Sequence, residues 1–509
     1  MTHFKHQYKF RAFFFPILFV SLLVALAACT PPRQPSFRMV VDPSLADTLL
    51  TGRLFLLLHP DTTQLPLESQ GWLEKSPIFA SDVVVWKPGE TYIFSKIPMG
   101  YPHRFDSLQS GYYAIQALLD VAKDYPNPFR APGNFFSTKT TGYIRVGDDT
   151  QEFSIVLDQI LPPRPFPESP LAREVVWKSP LLSAFHGRDI LMKAAVLLPE
   201  SYAANPSARY PVVYVIPGFG GTHERYERIR QNYFRADATD KIVVYLNPEC
   251  YHGHHTFANS ENNGPWGDAL VKELIPHIDT SFPTLGLPGA RFVAGHSSGG
   301  WSSLWLQIQY PEAFGGVWST APDPVDFRDF SGINLYQDSS LFMKGKEVRP
   351  LVRRNGEAVL SVIDFWRREQ VMGHGGQLQS FEAVFGKRGA NGKPVPLWNH
   401  QTGVIDPRQA LQWKKYDIVA QLKQNWPELK DKLAGKIHVY MGEEDNFYLE
   451  GAVRLLQQEM AALGSDAVIE LFPGKDHGTL LNDALLDRIA REMDSQLAKN
   501  QVTATLSNP

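Results

Sequence analysis

The stretch Gly295-His296-Ser297-Ser298-Gly299-Gly300 has the residue types and spacing for covalent chemistry on an acyl group. A serine hydroxyl is a poor nucleophile at its own pKa, so it needs a base to take its proton and a third group to orient that base. The spacing G-x-S-x-G arises by chance in long chains, and its surroundings carry the argument. Arg291-Phe292-Val293-Ala294 reads as a strand leading in, and a helical stretch ending before Pro311 leads out. A serine on such a strand-to-helix turn is strained and exposed, and flanking glycines let neighbouring backbone approach without a Cβ. The helix N-terminus brings free N–H groups and partial positive charge, so the Ser298 N–H is the first donor expected for an oxyanion. Two downstream loops offer the base and the acid. Lys436 to Met441 reads as a strand whose exit carries Gly442-Glu443-Glu444-Asp445; Val468 to Phe472 reads as the next, with Pro473-Gly474-Lys475-Asp476-His477-Gly478 at its exit. His477 is the expected base. Asp445, Glu443, Glu444 and Asp476 compete for the acid, although Asp476, adjacent to His477, reads as solvated or capping and the two glutamates as a surface turn.

These loops need a scaffold, and the pattern from residue 172 to 495 supplies one. Apolar strands at Lys193 to Leu198, Tyr210 to Ile216 and Ile242 to Leu246 alternate with helical stretches such as Trp266 to Ile278. That alternation predicts an α/β fold, a mostly parallel sheet covered by helices on both faces, with the site beyond the carboxyl ends of its strands. Before it, residues 37–157 hold short β-rich runs bounded by Gly, Pro, Asp and Asn, the pattern of an antiparallel β-sandwich. The run Leu161-Pro162-Pro163-Arg164-Pro165-Phe166-Pro167 can sustain neither ladder nor helix, so residues 158–171 read as a stiff linker.

From about Trp177 to Leu486 the chain resembles the esterase family of α/β-hydrolases that includes esterase D, enterochelin esterases, feruloyl and acetyl-xylan esterases and the mycolyltransferases. The matching pieces, in order, are Ala195-Val196-Leu197-Leu198-Pro199, Pro217-Gly218-Phe219-Gly220, Asn262-Asn263-Gly264-Pro265-Trp266 with Glu273-Leu274-Ile275-Pro276, and the Gly295 to Gly300 elbow. The resemblance implies a serine esterase with Ser297, Asp445 and His477 as its triad. It also implies Phe219 N–H as the second oxyanion donor, with Gly220 in reserve. Trp266 and Gly220 are assigned to the substrate pocket, packing of the helix start being the other reading for the tryptophan. The chain departs from compact family members in a long insertion from Val325 to about Trp413. Within it Ala358 to Trp366 shows helical spacing, and a cap over the pocket is expected. Its Arg353, Arg354, Arg367 and Arg368 could clamp an anion, although arginine pairs on helices are usually solvated.

Composition fits a large globular protein, with 43% hydrophobic and 20% charged residues and a formal net charge of -3. That charge gives no field for nucleic acid. His252, His254 and His255 invite a metal reading, but no acidic or cysteine partner stands at a ligand spacing, and a serine esterase needs neither metal nor cofactor. The expected partner is a small-molecule or carbohydrate-linked ester; oligomeric state is not encoded legibly. Lys5, Lys9 and Arg11 precede an apolar run from Phe13 to Ala28, and residues 1–28 therefore read as a secretion signal. Leu26-Ala27-Ala28-Cys29 resembles the lipobox of bacterial lipoproteins, which implies lipidation at Cys29. The membrane is then reached through an N-terminal lipid anchor, and Thr30 in place of Asp after the cysteine favours the outer membrane, at its periplasmic or surface face. Lipidation leaves Cys250 without a disulfide partner, a small packed residue. Two other functions use the same features: acyl transfer by the same triad, and non-catalytic binding on a hydrolase scaffold. The second predicts loss of a triad or elbow residue, and none is missing.

Overall fold

The computed structural model describes residues 34–507 apart from 72, 95–97 and 206, so the expected signal segment and Cys29 lie outside the described residues. Eight strands form the central sheet. We label them β1 (Ala172–Lys178), β2 (Leu191–Leu197), β3 (Val212–Ile216), β4 (Ile242–Leu246), β5 (Arg291–His296), β6 (Gly316–Thr320), β7 (Ile437–Gly442) and β8 (Val468–Phe472). Their spatial order is β1-β2-β4-β3-β5-β6-β7-β8. β2 runs antiparallel to β1 and β4, and every later pairing is parallel. All five residues of β3, β4 and β6 are buried, which explains their unbroken apolar runs: a parallel sheet covered on both faces has no solvent side to alternate with.

The N-terminal residues build two further sheets. The larger is antiparallel and centres on Leu50–His59, Ile78–Trp86 and Gly111–Asp120. The smaller is mixed, since Ser36–Val41 pairs parallel with Glu152–Leu157 and antiparallel with Tyr92–Ile93. In Leu50–His59, Leu54, Leu56 and Leu58 point to the smaller sheet, into a core with Phe37, Met39 and Leu157. Phe55 and Leu57 point the other way, to Val371 and Met372 of the insertion. Period-two geometry sends alternate residues to opposite faces, and here both faces are buried. Residues 161–169 have no regular structure but are docked: Arg164 pairs with Glu249 at 2.9 Å, and the Tyr226 hydroxyl donates to Pro167 O at 2.8 Å.

The insertion leaves the sheet after β6 and returns at β7. The stretch expected to be helical from Ala358 starts later, because Glu357–Ser361 is a hairpin strand paired with Pro350–Arg354. Ser361 then caps the helix by accepting from Asp364 N. We label the nucleophile-side helix Ser298–Gln309 α1, the insertion helix Val362–Met372 α2 and its successor Gln377–Phe385 α3.

Candidate active site

Ser297 joins β5 to α1 with φ 61° and ψ −125°, a conformation costly for a residue with a side chain, on the order of 1–3 kcal/mol. The turn is held by Ser297 N donating to Thr320 O at 3.0 Å and by Ser297 O accepting from Trp301 N and Asp323 N at 3.1 and 3.2 Å. Close backbone contact demands the flanking glycines. A Cβ on Gly295 would stand 2.1 Å from Gly299 O, and one on Gly299 would stand 1.9 Å from Ile216 O.

The β7 and β8 exits are brought together by a similar approach, since a Cβ on Gly442 would meet Lys475 O at 2.3 Å. His477 Nδ1 lies 2.6 Å from Asp445 Oδ2, and the Asp445 carboxylate is fully buried, its Oδ1 accepting from Phe447 N at 2.8 Å. Glu443 pairs instead with Arg454, Glu444 is exposed, and Asp476 accepts from Thr479 N and Gly478 N to cap its own turn. The His477 ring is 4.7 Å from the ring of His296, the residue before Ser297, so the histidine loop lies over the elbow. Burial first, then the neighbouring His477, pushes the pKa of His296 down to about 3.

Facing Ser297 is the turn after β3. A Cβ on Gly218 would stand 3.0 Å from Ser297 Cβ, so the Pro217-Gly218-Phe219 backbone passes directly over the elbow. Phe219 is half-buried on this turn, and Ser298 is buried at the N-terminus of α1. His254 fastens the turn from below. Its Nδ1 accepts from Thr256 N at 3.0 Å, which leaves Nε2 as the donor to Pro217 O at 2.9 Å. Burial pushes its pKa down to about 4, so the ring is neutral at pH 7. Of the histidine trio that invites a metal reading in sequence, His254 and His255 are buried, and the His255 ring stacks on Trp266 at 3.6 Å.

A cavity of about 40 Å³ opens at Ser297. Its walls include Asp323, Phe365, Leu378, Phe381 and Phe447, most of them from the insertion. Two pocket assignments need correction, because neither Trp266 nor Gly220 lines this cavity. Trp266 stacks on His255 and lines a different, larger crevice, and Gly220 is exposed on its turn with φ 75°. The arginines of the insertion form no clamp either. Arg353 donates to Asp445 O at 2.8 Å and so braces the acid loop, Arg368 donates to Gln70 O, and Arg354 and Arg367 are exposed. A larger crevice of about 1000 Å³ lies along the seam between the N-terminal sheets and the catalytic domain and does not reach Ser297. Cys250 lines it half-buried, its thiol pushed up to about 12 by burial, which leaves it no nucleophilic character at pH 7.

Asp323 is the residue that sequence reasoning missed. It is buried, accepts from Ser298 Oγ at 2.5 Å, and its pKa is pushed up to about 6, chiefly by burial. Its position just past the carboxyl end of β6 was the available signal.

The family described as "Putative esterase" matches residues 187–478, more than half of the chain. Two curated relatives, Esterase Rv1288 and Esterase MT1326 of Mycobacterium tuberculosis, are each 30% identical over 138 residues, 26% of this chain and 30% of theirs. The match thus spans under a third of those relatives' length. Among solved structures, a ferulic acid esterase overlaps 64% of this chain and 97% of its own at 14% identity, with a TM-score of 0.39. An S-formylglutathione hydrolase from Agrobacterium tumefaciens overlaps 64% and 94% at 14% identity, with a TM-score of 0.40.

Proposed function

This chain belongs to that esterase family, and from this premise we propose that it is a serine hydrolase of carboxylic esters with Ser297, His477 and Asp445 as its triad. The observation that carries the reading is the buried Asp445 carboxylate 2.6 Å from His477 Nδ1, beside a serine in strained elbow geometry. Asp445 fixes the tautomer that leaves His477 Nε2 free to accept a proton. Ser297 Oγ attacks the ester carbonyl as its proton passes to Nε2, and the carbonyl oxygen becomes an oxyanion. Backbone N–H groups of Ser298 and Phe219 receive that charge; one such donor is worth about 3 kcal/mol in the transition state. His477 then returns the proton to the departing alcohol, and water enters by the same route to release the acid.

Acyl transfer would differ only in admitting a second alcohol in place of water. The apolar cavity, with no arginine or lysine among the described residues that line it, suits a small ester substrate. We further propose that the protein is exported and anchored through lipid on Cys29; a lipid mass on the mature N-terminus is the test. For the esterase reading the test is turnover of p-nitrophenyl acetate by purified protein. Release of p-nitrophenol well above the buffer rate is expected, and a rate equal to buffer across several short-chain esters would sink it.

A further inference from the structure

Helices α2 and α3 supply Val362, Phe365, Gln377, Leu378 and Phe381 to the cavity wall at Ser297, and both helices are tied, directly or through each other, to the N-terminal sheet. Arg53, on the strand Leu50–His59, reaches the last turn of α2. Its Nε donates to Val371 O at 2.9 Å and its Nη2 to Gln370 O at 3.0 Å. These carbonyls have no partner within the helix, and a cation at a helix C-terminus is favoured by the dipole as well. Asp82 pairs with the same guanidinium and keeps it in place. A Cβ on Gly373, the residue after α2, would stand 2.7 Å from Arg53 Cδ, so the helix end and the arginine are in full contact. At its other end α2 sends Val362 and Phe365 into the cavity. Between the two ends, buried Glu369 accepts from Leu378 N at 3.0 Å and Gln379 N at 3.1 Å, which carries the placement of α2 to α3 and its own cavity residue, Phe381.

The cavity is small, and most of its lining residues, Val362, Phe365 and Phe381 among them, are buried. At about 40 Å³ it has room for roughly three water-sized groups, the scale of an acetyl or propionyl chain. A small apolar space beside the nucleophile suits the acyl half of an ester, because the alcohol half must leave before water reaches the acyl-enzyme.

We propose that the N-terminal sheet is a positioning layer of the ester site: Arg53, by holding the C-terminal carbonyls of α2, fixes Val362 and Phe365 in the cavity and so limits the acyl chain that fits. The inference rests on the reading of Ser297 as the nucleophile. Arg53 is a positioning residue, since it touches no reacting atom.

The test is the acyl-length profile of full-length protein on p-nitrophenyl esters from acetyl to octanoyl. Wild type is expected to favour acetyl over octanoyl in kcat/KM by about a hundredfold or more, a difference that reports transition-state discrimination. Arg53→Met keeps the stem and loses the donors. It should shrink that ratio at least about tenfold while kcat/KM on acetyl stays within about threefold. Arg53→Lys, which keeps the charge and one donor, should fall between the two and covers the case in which the methionine variant does not fold. Phe365→Ala widens the cavity directly and should flatten the profile whatever Arg53 does. If Phe365→Ala flattens the profile and folded Arg53 variants keep the wild-type ratio, the positioning role is overturned and the ester site stands. If Phe365→Ala also changes nothing, the cavity does not hold the acyl group and the proposal falls with it. Failure of the wild type to hydrolyse any of these esters would count against the serine-hydrolase reading itself.

Discussion

At the scale of single residues, three carboxylates near the site do different work because their surroundings differ. Asp445 is buried and spends one oxygen on His477 and the other on Phe447 N, so its charge is aimed at the ring. Asp445→Asn keeps that shape and removes the charge, and kcat should fall by up to about 10⁴ with little change in stability. Glu443→Gln and Glu444→Gln should each stay within about tenfold, less than about 1.4 kcal/mol of transition-state energy. Steady-state kinetics of the three variants checks this; a collapse in a glutamate variant with a working asparagine variant would reassign the acid. Sequence placed Asp445, Glu443 and Glu444 on one loop and preferred Asp445 through the family resemblance, but the physical ground for that preference, which of them faces inward, is visible only in the folded chain. Asp323 escaped for a different reason: its place past the end of a strand was a signal, but the residue types in Ala321-Pro322-Asp323 do not by themselves separate a buried acceptor for Ser298 from a solvated turn.

Elements set the geometry in which those residues act, and the turn after β3 shows how. Its backbone passes over Ser297, and His254, on a different loop, donates to Pro217 O to keep it there. His254→Leu should lower kcat by roughly tenfold or more, a fraction of what losing an oxyanion donor costs, while His254→Gln, which can still donate, should recover part of it. A pH signature accompanies this. The folded pKa of His254 is held at about 4, below the ordinary value of 6.5, so as pH falls below 6.5 the unfolded chain gains a proton that the folded chain does not. Stability therefore drops on acidification. His254→Gln should lose about 2 kcal/mol less than wild type between pH 7 and pH 5 in denaturant titrations, and equal losses would show that the ring is not held neutral. The parallel strands were legible because full burial writes continuous apolar runs. Helical spacing from Ala358 misled, because a hairpin strand and the first turn of α2 share the same apolar positions until Ser361 caps the helix.

For the molecule as a whole, the two parts of the chain share one apolar seam. Leu50–His59 reads as a strand in sequence, but its near-continuous apolar run from Leu54 to Leu58 carries a second message: both of its faces are covered, one by the smaller sheet and one by Val371 and Met372 of the insertion. That second cover lies over 300 residues away in sequence, and so no local pattern could name it. The catalytic domain, the insertion and the N-terminal sheets thus meet at α2, with the cavity at Ser297 beyond it. Everything proposed for this architecture depends on Ser297 forming the covalent acyl-enzyme. The direct measurement is peptide mass mapping after reaction with a fluorophosphonate, alongside ester turnover. The account predicts one adduct, on the peptide containing Ser297, abolished in Ser297→Ala together with a loss of kcat of about 10⁶. Full turnover by Ser297→Ala, or an adduct on another residue of active enzyme, would contradict it.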